Sequence, residues 1–256
     1  MTTPRTQDRA AAPANPGSGE PGALYFFALN EAVQQLLEYG TAPGWRVVGE
    51  TDSVRIARTQ APPLFEMRIF PRASWPLRIW NALRGDAAYR FDRLTAQLIR
   101  SGLPVTAISL RGRVAGHPYT IAELPAGIAL DVFLSNPGDP LAAAGSLRLR
   151  RQTLRAVGAM VAKLHEAGFH HPALDGEHIF VEARPGTPVR VGLTPAGPTR
   201  QCGPLSLTAA TGDLTVLGRT LKPITSVTDR FRLLQTYCES RGMRSRTEIL
   251  QLAEQF

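Results

Sequence analysis

Residues 164–182 read Leu-His-Glu-Ala-Gly-Phe-His-His-Pro-Ala-Leu-Asp-Gly-Glu-His-Ile-Phe-Val-Glu. They hold three kinds of structural signal in sequence. Leu154, Val157, Val161 and Leu164 repeat at helical spacing ahead of Gly168, so a long helix over about 145–167 stops there. A loop follows with His170, His171 and Pro172. HIFVEA then reads as a strand, and a second short strand, VRVGL, lies beyond the turn Arg184-Pro185-Gly186. A long helix, a histidine-rich loop and a strand pair are the frame on which the rest of the chain is read.

Outward toward the N-terminus, ALYFFALNEAVQQLLEYG predicts one short helix ending at Gly40. WRVVGE and SVRIAR flank the polar residues 50–53 and predict a β-hairpin, and LFEMRIF predicts a third strand. Residues 75–101 turn helical, with Leu94, Leu98 and Ile99 in phase, and stop at Ser101-Gly102-Leu103-Pro104. VTAISLRGRVAGHPYTIAEL predicts two strands joined at Gly116, and residues 127–135 a linker or short helix. Toward the C-terminus, Leu214, Leu217, Leu221, Phe231, Leu234 and Tyr237 predict helices from about 210 to 256. The order implies an α+β fold, a small β-rich lobe over 23–125 and a mainly helical lobe over 126–256, preceded by a disordered tail over 1–22 rich in Pro, Ala and Gly.

Composition narrows the function classes. The chain has 256 residues, a formal net charge of +8 and two cysteines, Cys202 and Cys238. Two cysteines cannot build a disulfide framework or a cysteine metal cluster. No apolar run reaches the roughly 20 residues of a membrane span, and the first residues lack the apolar centre of a signal peptide, so a cytoplasmic protein is expected. Only two of the 29 basic residues are lysines, Lys163 and Lys222, and no Asn follows Asn136.

The stretch 164–182 resembles the bacterial lipopolysaccharide-core sugar kinases, the Kdo and heptose kinases, which share the protein-kinase-like fold. Leu164, His165, Ala167, Gly168, His171, Leu174 and Ile179 stand in register with that family's L-H-x-A-G-x-x-H-x-D-L-N-x-x-N-I-L pattern. Ser101-Gly102-Leu103-Pro104 looks like the family's helix-to-strand junction. Glu123 and Leu124, with Gly127, look like the hinge beside the nucleotide pocket. Asp213-Leu214-x-x-Leu217 looks like the family's D-L-x-x-L helix.

The resemblance implies four phosphotransfer positions, and all four are changed. The strand lysine that pairs with phosphates becomes Arg68, whose planar fork does not replace a compact ammonium. The aspartate that orients the acceptor becomes Ala173. The metal-binding asparagine becomes His178, and neutral imidazole is a poor ligand for Mg2+. The second metal-binding aspartate becomes Thr194, and no acid lies between Glu182 and Asp213. The leading expectation is therefore a catalytically inactive pseudokinase, without cofactor, that acts as a scaffold or regulator in lipopolysaccharide and envelope biogenesis. Its implied partner is an envelope-biogenesis protein or a lipid-linked lipopolysaccharide intermediate.

Two alternatives stand beside it. Asp175 and Glu177 could form a displaced site, making the chain an active core-sugar kinase that uses ATP and Mg2+. The segment Arg68–Arg113 offers the other: it holds nine arginines against Asp86 and Asp92, with Trp75, Leu77, Ile79, Trp80 and Leu83 interleaved. Trp75, Arg78, Trp80 and Arg84 suit an anionic membrane surface, which implies an anionic-lipid binding module peripheral to the inner membrane. The bland reading of that segment is a helix with its tryptophans packed into the small lobe. No nucleic-acid motif accompanies the basic residues. His165, His170, His171 and His178 are read as structural rather than as a metal cluster, with His171 fixing the loop, and the Gly49–Ser53 turn as a plain hairpin turn rather than a phosphate-covering loop.

Overall fold

The fold described is that of a computed structural model, covering residues 21–61, 63–125, 127–135, 146–183, 187–194, 199–203, 205–243, 249 and 252–253. The expected tail falls outside these residues over 1–20. The chain forms two units, 1–43 and 44–256. The first holds α1 (Pro21–Tyr39). Gly40, at φ +71°, ends it by donating its N–H to the Leu36 carbonyl.

The second unit begins with strands β1 (Trp45–Thr51), β2 (Val54–Thr59) and β3 (Phe65–Ile69), in the hairpin-plus-strand order the sequence predicts. Two helices follow, α2 (Trp75–Arg84) and α3 (Ala87–Arg100), then strands β4 (Ile108–Val114) and β5 (His117–Glu123). The helical stretch expected over 75–101 is therefore broken. Gly85 takes φ +79°, and the Asp86 carboxylate caps α3 by accepting from the Tyr89 N–H at 2.9 Å. The five strands form one antiparallel sheet in the order β1-β2-β3-β5-β4. Ala57, Met67, Ile69, Tyr119 and Ile121 are buried on it, and α3 packs against β4 and β5 through Ala88, Phe91 and Leu98. Gly112 has no room for a side chain, since a Cβ there would stand 2.5 Å from the Tyr119 ring.

Past Glu123 the chain enters the helical lobe. Residues expected as a linker or short helix divide into β6 (Ile128–Ala129) and α4 (Leu130–Ser135). The long helix α5 (Ser146–Glu166) buries Leu154, Val157, Val161 and Leu164 completely. It is followed by β7 (Phe169–His170), a 3-10 turn at Gly176–His178, β8 (Ile179–Glu182), β9 (Arg190–Leu193) and β10 (Arg200–Gln201). Two helices complete the lobe, α6 (Leu207–Leu221) and α7 (Val227–Ser240). β6, β8 and β9 form a small antiparallel sheet, and β7 pairs with β10. The two-residue strands β6, β7 and β10 are too short for a period-two pattern, so pairing alone defines them. Helical residues expected near 244–248 lie outside the described residues.

α5 and α7 pack closely. A Cβ on Gly158 would lie 2.4 Å from the Leu233 carbonyl oxygen, so glycine sets their separation. The core runs continuously from Phe91 and Leu98 on α3, through Leu103, into α5, α6 and α7. This β-rich N-lobe followed by a mainly helical C-lobe is the expected α+β, bilobal, protein-kinase-like architecture.

Candidate functional site: a crevice built on a histidine–aspartate anchor

The loop between β7 and β8 is held from inside. Asp213, fully buried on α6, accepts the His171 main-chain N–H at 2.7 Å and the His165 Nε2–H at 3.1 Å on one oxygen, Oδ2. His165 Nδ1, 2.9 Å from the Tyr237 hydroxyl on α7, accepts that O–H, so His165 is the neutral Nε2–H tautomer. Burial lowers the His165 pKa against the opposing pull of Asp213. Burial also raises the Asp213 carboxyl, but the His165 and His171 hydrogen bonds outweigh it and hold the group below the ordinary carboxylate value. His170 Nδ1 stands 2.8 Å from the other oxygen, Oδ1, off the hydrogen-bond direction.

His171 fixes the loop through its main chain rather than its ring. Besides the bond to Asp213, its carbonyl accepts from the Leu174 N–H at 2.9 Å. The ring Nδ1 is buried without a partner, and the ring packs edge-on to His178. Burial, with the neighbouring His178 adding to it, drives the His171 pKa down to about 4.

Asp175 belongs to the turn itself. Its Oδ1 accepts from the main-chain N–H groups of Glu177 and His178, each at 3.1 Å, and from His178 Nδ1 at 2.6 Å. Burial raises this carboxyl, yet the His178 ring and the two amides prevail and keep it below the usual range. His178, which the resemblance aligns with the family's asparagine, thus orients Asp175. Glu177 is exposed, and Ala173 offers no polar atom. Thr194 is buried at the end of β9, where its N–H donates to the His178 carbonyl at 3.0 Å and its hydroxyl lies 3.4 Å from the same oxygen. No group of three or more His, Cys, Asp or Glu side chains among the described residues is placed to hold a metal ion. Asp131 on α4 packs against Gly176 and buries an Oδ1 without a partner, a single carboxylate oxygen.

Arg68 is buried on β3. Its Nε and Nη2 both reach Glu66 Oε1 at 2.7 Å, while Arg58 on β2 takes Glu66 Oε2 at 2.9 Å. The guanidinium lies 5.0 Å from the centre of the Phe91 ring on α3. The strand cation is thus paired within its own sheet, sharing Glu66 with Arg58, and α3 presents it an aromatic ring. Glu66 and Phe91 were missed in the sequence reading. The period of two in Glu66-Met67-Arg68 already put the acid and the arginine on one face.

At the position the resemblance reads as the hinge, the Leu124 N–H donates to the Leu64 carbonyl at 2.7 Å, and Pro125 has no N–H to offer. Glu123 is exposed and Leu124 buried. Beside them is a cavity of about 240 Å3 lined in part by Val105, Pro125, Phe180 and Gly192. The junction after α3 is secured by Lys163 Nζ on the Gly102 carbonyl at 2.6 Å.

The surface residues divide. α2 buries none of its side chains: Trp75 is 72% exposed, Trp80 48% and Leu83 80%. The reading in which the tryptophans pack into the small lobe is therefore overturned. The Arg84 guanidinium lies 4.2 Å from the Trp80 ring centre. Arg78 does not join them. With Asn81 and Ala82 it lines a cavity that also takes in Gly116 and Pro118 at the β4–β5 end of the sheet.

Fold and site together define a molecule with a protein-kinase-like fold and an internally anchored loop between β7 and β8. Residues 130–194, from α4 through β9 to Thr194, match the lipopolysaccharide kinase (Kdo/WaaP) family, so the resemblance read in 164–182 holds. Among solved structures, the chain is similar to WaaP in complex with acyl carrier protein, at 20% identity over 86% of this chain and 93% of that one, with a TM-score of 0.57. A kinase domain, PknI of Mycobacterium tuberculosis, also aligns, at 15% identity over 84% of this chain and 97% of that one, with a TM-score of 0.40. No curated protein matches the chain. No helix among the described residues is long and apolar enough to cross a membrane.

Proposed function

We propose that this chain is a pseudokinase of the lipopolysaccharide-kinase type: a cytoplasmic protein that keeps the kinase scaffold, transfers no phosphate, and serves as a scaffold or regulator in envelope biogenesis. One observation carries the reading. Positions 173 and 194 bear alanine and threonine where acceptor and metal need carboxylates, and the nearest acid, Asp175, is committed to its own turn. Arg68, held by Glu66, supports it from the other lobe. The displaced-site kinase draws less support, because a carboxylate accepting three hydrogen bonds on one oxygen is already ordering the loop. N-lobe and C-lobe are taken as 23–125 and 126–256, with Glu123 and Leu124 as the hinge.

The test is a thermal-shift titration of the full chain with ATP, with and without Mg2+, beside a phosphotransfer assay on core-oligosaccharide acceptors. A ligand that binds only the folded state raises its melting temperature. The expected result is no Mg2+-dependent rise and no turnover. Mg2+-dependent turnover abolished by Asp175→Ala would establish the displaced-site kinase instead.

The exposed apolar face of α2 favours a second, compatible role as an anionic-lipid binding module at the inner membrane surface, through Trp75, Trp80 and Arg84. A partner protein in envelope biogenesis is also proposed, since the similar WaaP structure contains acyl carrier protein. A lipid-linked intermediate would meet the same basic N-lobe. No nucleic-acid partner is proposed.

A further inference from the structure

At the end of the five-stranded sheet remote from the hinge, a cavity of about 350 Å3 opens between α2, the start of α3 and the β4–β5 turn. The β3–β5 pairing runs from Phe65–Glu123, next to the hinge, to Ile69–Tyr119 at this end. Four residues of strand therefore put the cavity more than about 13 Å from the hinge. It belongs neither to the crevice nor to the outward apolar face of α2.

Three arginines line it, Arg72, Arg78 and Arg113, against one acid, Asp86. That acid is engaged. Its Oδ2 pairs with Arg113 at 2.6 Å, and its Oδ1 caps α3 through the Tyr89 N–H. The guanidinium groups of Arg72 and Arg78 make no ion pair among the described residues. Gly116, at φ +84° in the β4–β5 turn, lies against one of them: a Cβ there would come within 3.2 Å of Arg72 Nε and 3.3 Å of its Cδ. Helical spacing sets the other, because Arg78 and Asn81 share one face of α2. Asn81 accepts from Arg90 Nη1 at 2.8 Å through Oδ1, which leaves its amide N–H groups as donors.

We propose that this cavity is a binding site for a phosphomonoester, held by the forks of Arg72 and Arg78 with Arg113 and Asn81 completing the donor set. Guanidinium forks match tetrahedral oxyanions with paired N–H donors. A phosphomonoester carries a charge of roughly −1.5 to −2 at neutral pH, against the cavity's surplus of two cations. A carboxylate has one charge and two oxygens and leaves most of these donors unmet. The volume exceeds that of a bare phosphate and admits the first carbons of its ester. The ester can be a soluble phosphorylated metabolite or a lipid headgroup presented beside α2.

The experiment uses the full chain and two probes. One is glycerol 3-phosphate in isothermal titration. The other is phosphatidylcholine vesicles carrying phosphatidic acid, or phosphatidylglycerol at matched surface charge. Arg72→Gln with Arg78→Gln is compared with Arg151→Gln with Arg155→Gln, which removes the same charge from exposed positions on α5; Arg78→Gln alone serves should the first pair not fold. Glycerol 3-phosphate binding identifies a soluble ester. A preference for phosphatidic acid without it identifies a lipid headgroup. In either case the cavity variants lose about tenfold in affinity, as expected for charge-assisted contacts, and the α5 pair does not. A chain that neither binds glycerol 3-phosphate nor prefers phosphatidic acid overturns the site, as does equal behaviour of the two variant pairs. Vesicle binding without headgroup preference removes this site while leaving the α2 surface reading intact.

Discussion

His171 shows how a residue can keep its place while changing its consequence. Its main-chain N–H, not its imidazole, is the loop anchor, and the ring is sealed among His178 and the buried core. With its pKa pushed from an ordinary 6.5 to about 4, the folded protein refuses a proton that the unfolded chain accepts. Above pH 6.5 neither state is protonated and the group adds nothing to pH dependence. As pH falls from 6.5 toward 4 the unfolded state gains the proton alone, so stability declines, by a total on the order of 3 kcal/mol. His165 acts in the same direction. Urea unfolding at neutral pH and near the lower limit should show this decline, and His171→Gln should reduce it. An equal decline in the variant would assign the effect elsewhere.

At the scale of elements, α2 inverts the usual amphipathic arrangement. Arg78, Asn81 and Ala82 line a cavity beside the β4–β5 turn, while Trp75, Ile79 and Leu83, spaced by four, and Trp80 are exposed. Because none of these side chains is buried, replacing Trp75, Trp80 and Leu83 together by Ser should change unfolding free energy by no more than about 0.5 kcal/mol each. Sedimentation with anionic vesicles should fall sharply in the same variant. A large loss of stability would mean that the face packs inside the protein. α5 and α7 show the opposite case, a contact that tolerates no added atom. Gly158→Ala would press a methyl group onto the Leu233 carbonyl, and a loss of roughly 2 kcal/mol is expected from overpacking, read as a lower urea midpoint.

Across the whole molecule, buried polar side chains connect elements far apart in sequence. Asp213 on α6 joins the β7–β8 loop to α5, and through His165 to Tyr237 on α7. Burial pushes the Tyr237 hydroxyl up to about 12, so it stays protonated and donates. Arg150 on α5 similarly reaches Asp229, the Leu134 carbonyl and the Ile224 carbonyl. Asp213→Ala would strand the His171 N–H and the His165 ring without an acceptor. A loss of about 3 kcal/mol or more is expected, visible in calorimetry as a single lowered transition. A loss below about 1 kcal/mol, the size of an exposed contact, would show that this anchor does not hold the lobe.

Local pattern determined a good deal by itself. The succession of strands along the small lobe, the long helix ending at Gly168, and the absence of Lys before 163 and of Asn after 136 are properties of residue type and spacing. They needed no tertiary information. The break at Gly85-Asp86 was legible too, since glycine followed by a capping aspartate ends one helix and begins another, although the continuous helical phase beyond it obscured the signal. Tertiary structure decided the rest, because those outcomes depend on which groups meet. Spacing put Glu66 and Arg68 on one face of β3, but only folding brings Arg58 on β2 and Phe91 on α3 to the pair. The strands β6, β7 and β10 exist only through their partners. Arg78 shares a cavity with Arg72 and Arg113 only because folding brings α2 beside the β4–β5 turn. A one-dimensional pattern records periodicity and chemistry; burial and pairing arise when distant segments exclude water from one another, and here that exclusion joins the β7–β8 loop to α5, α6 and α7 through Asp213.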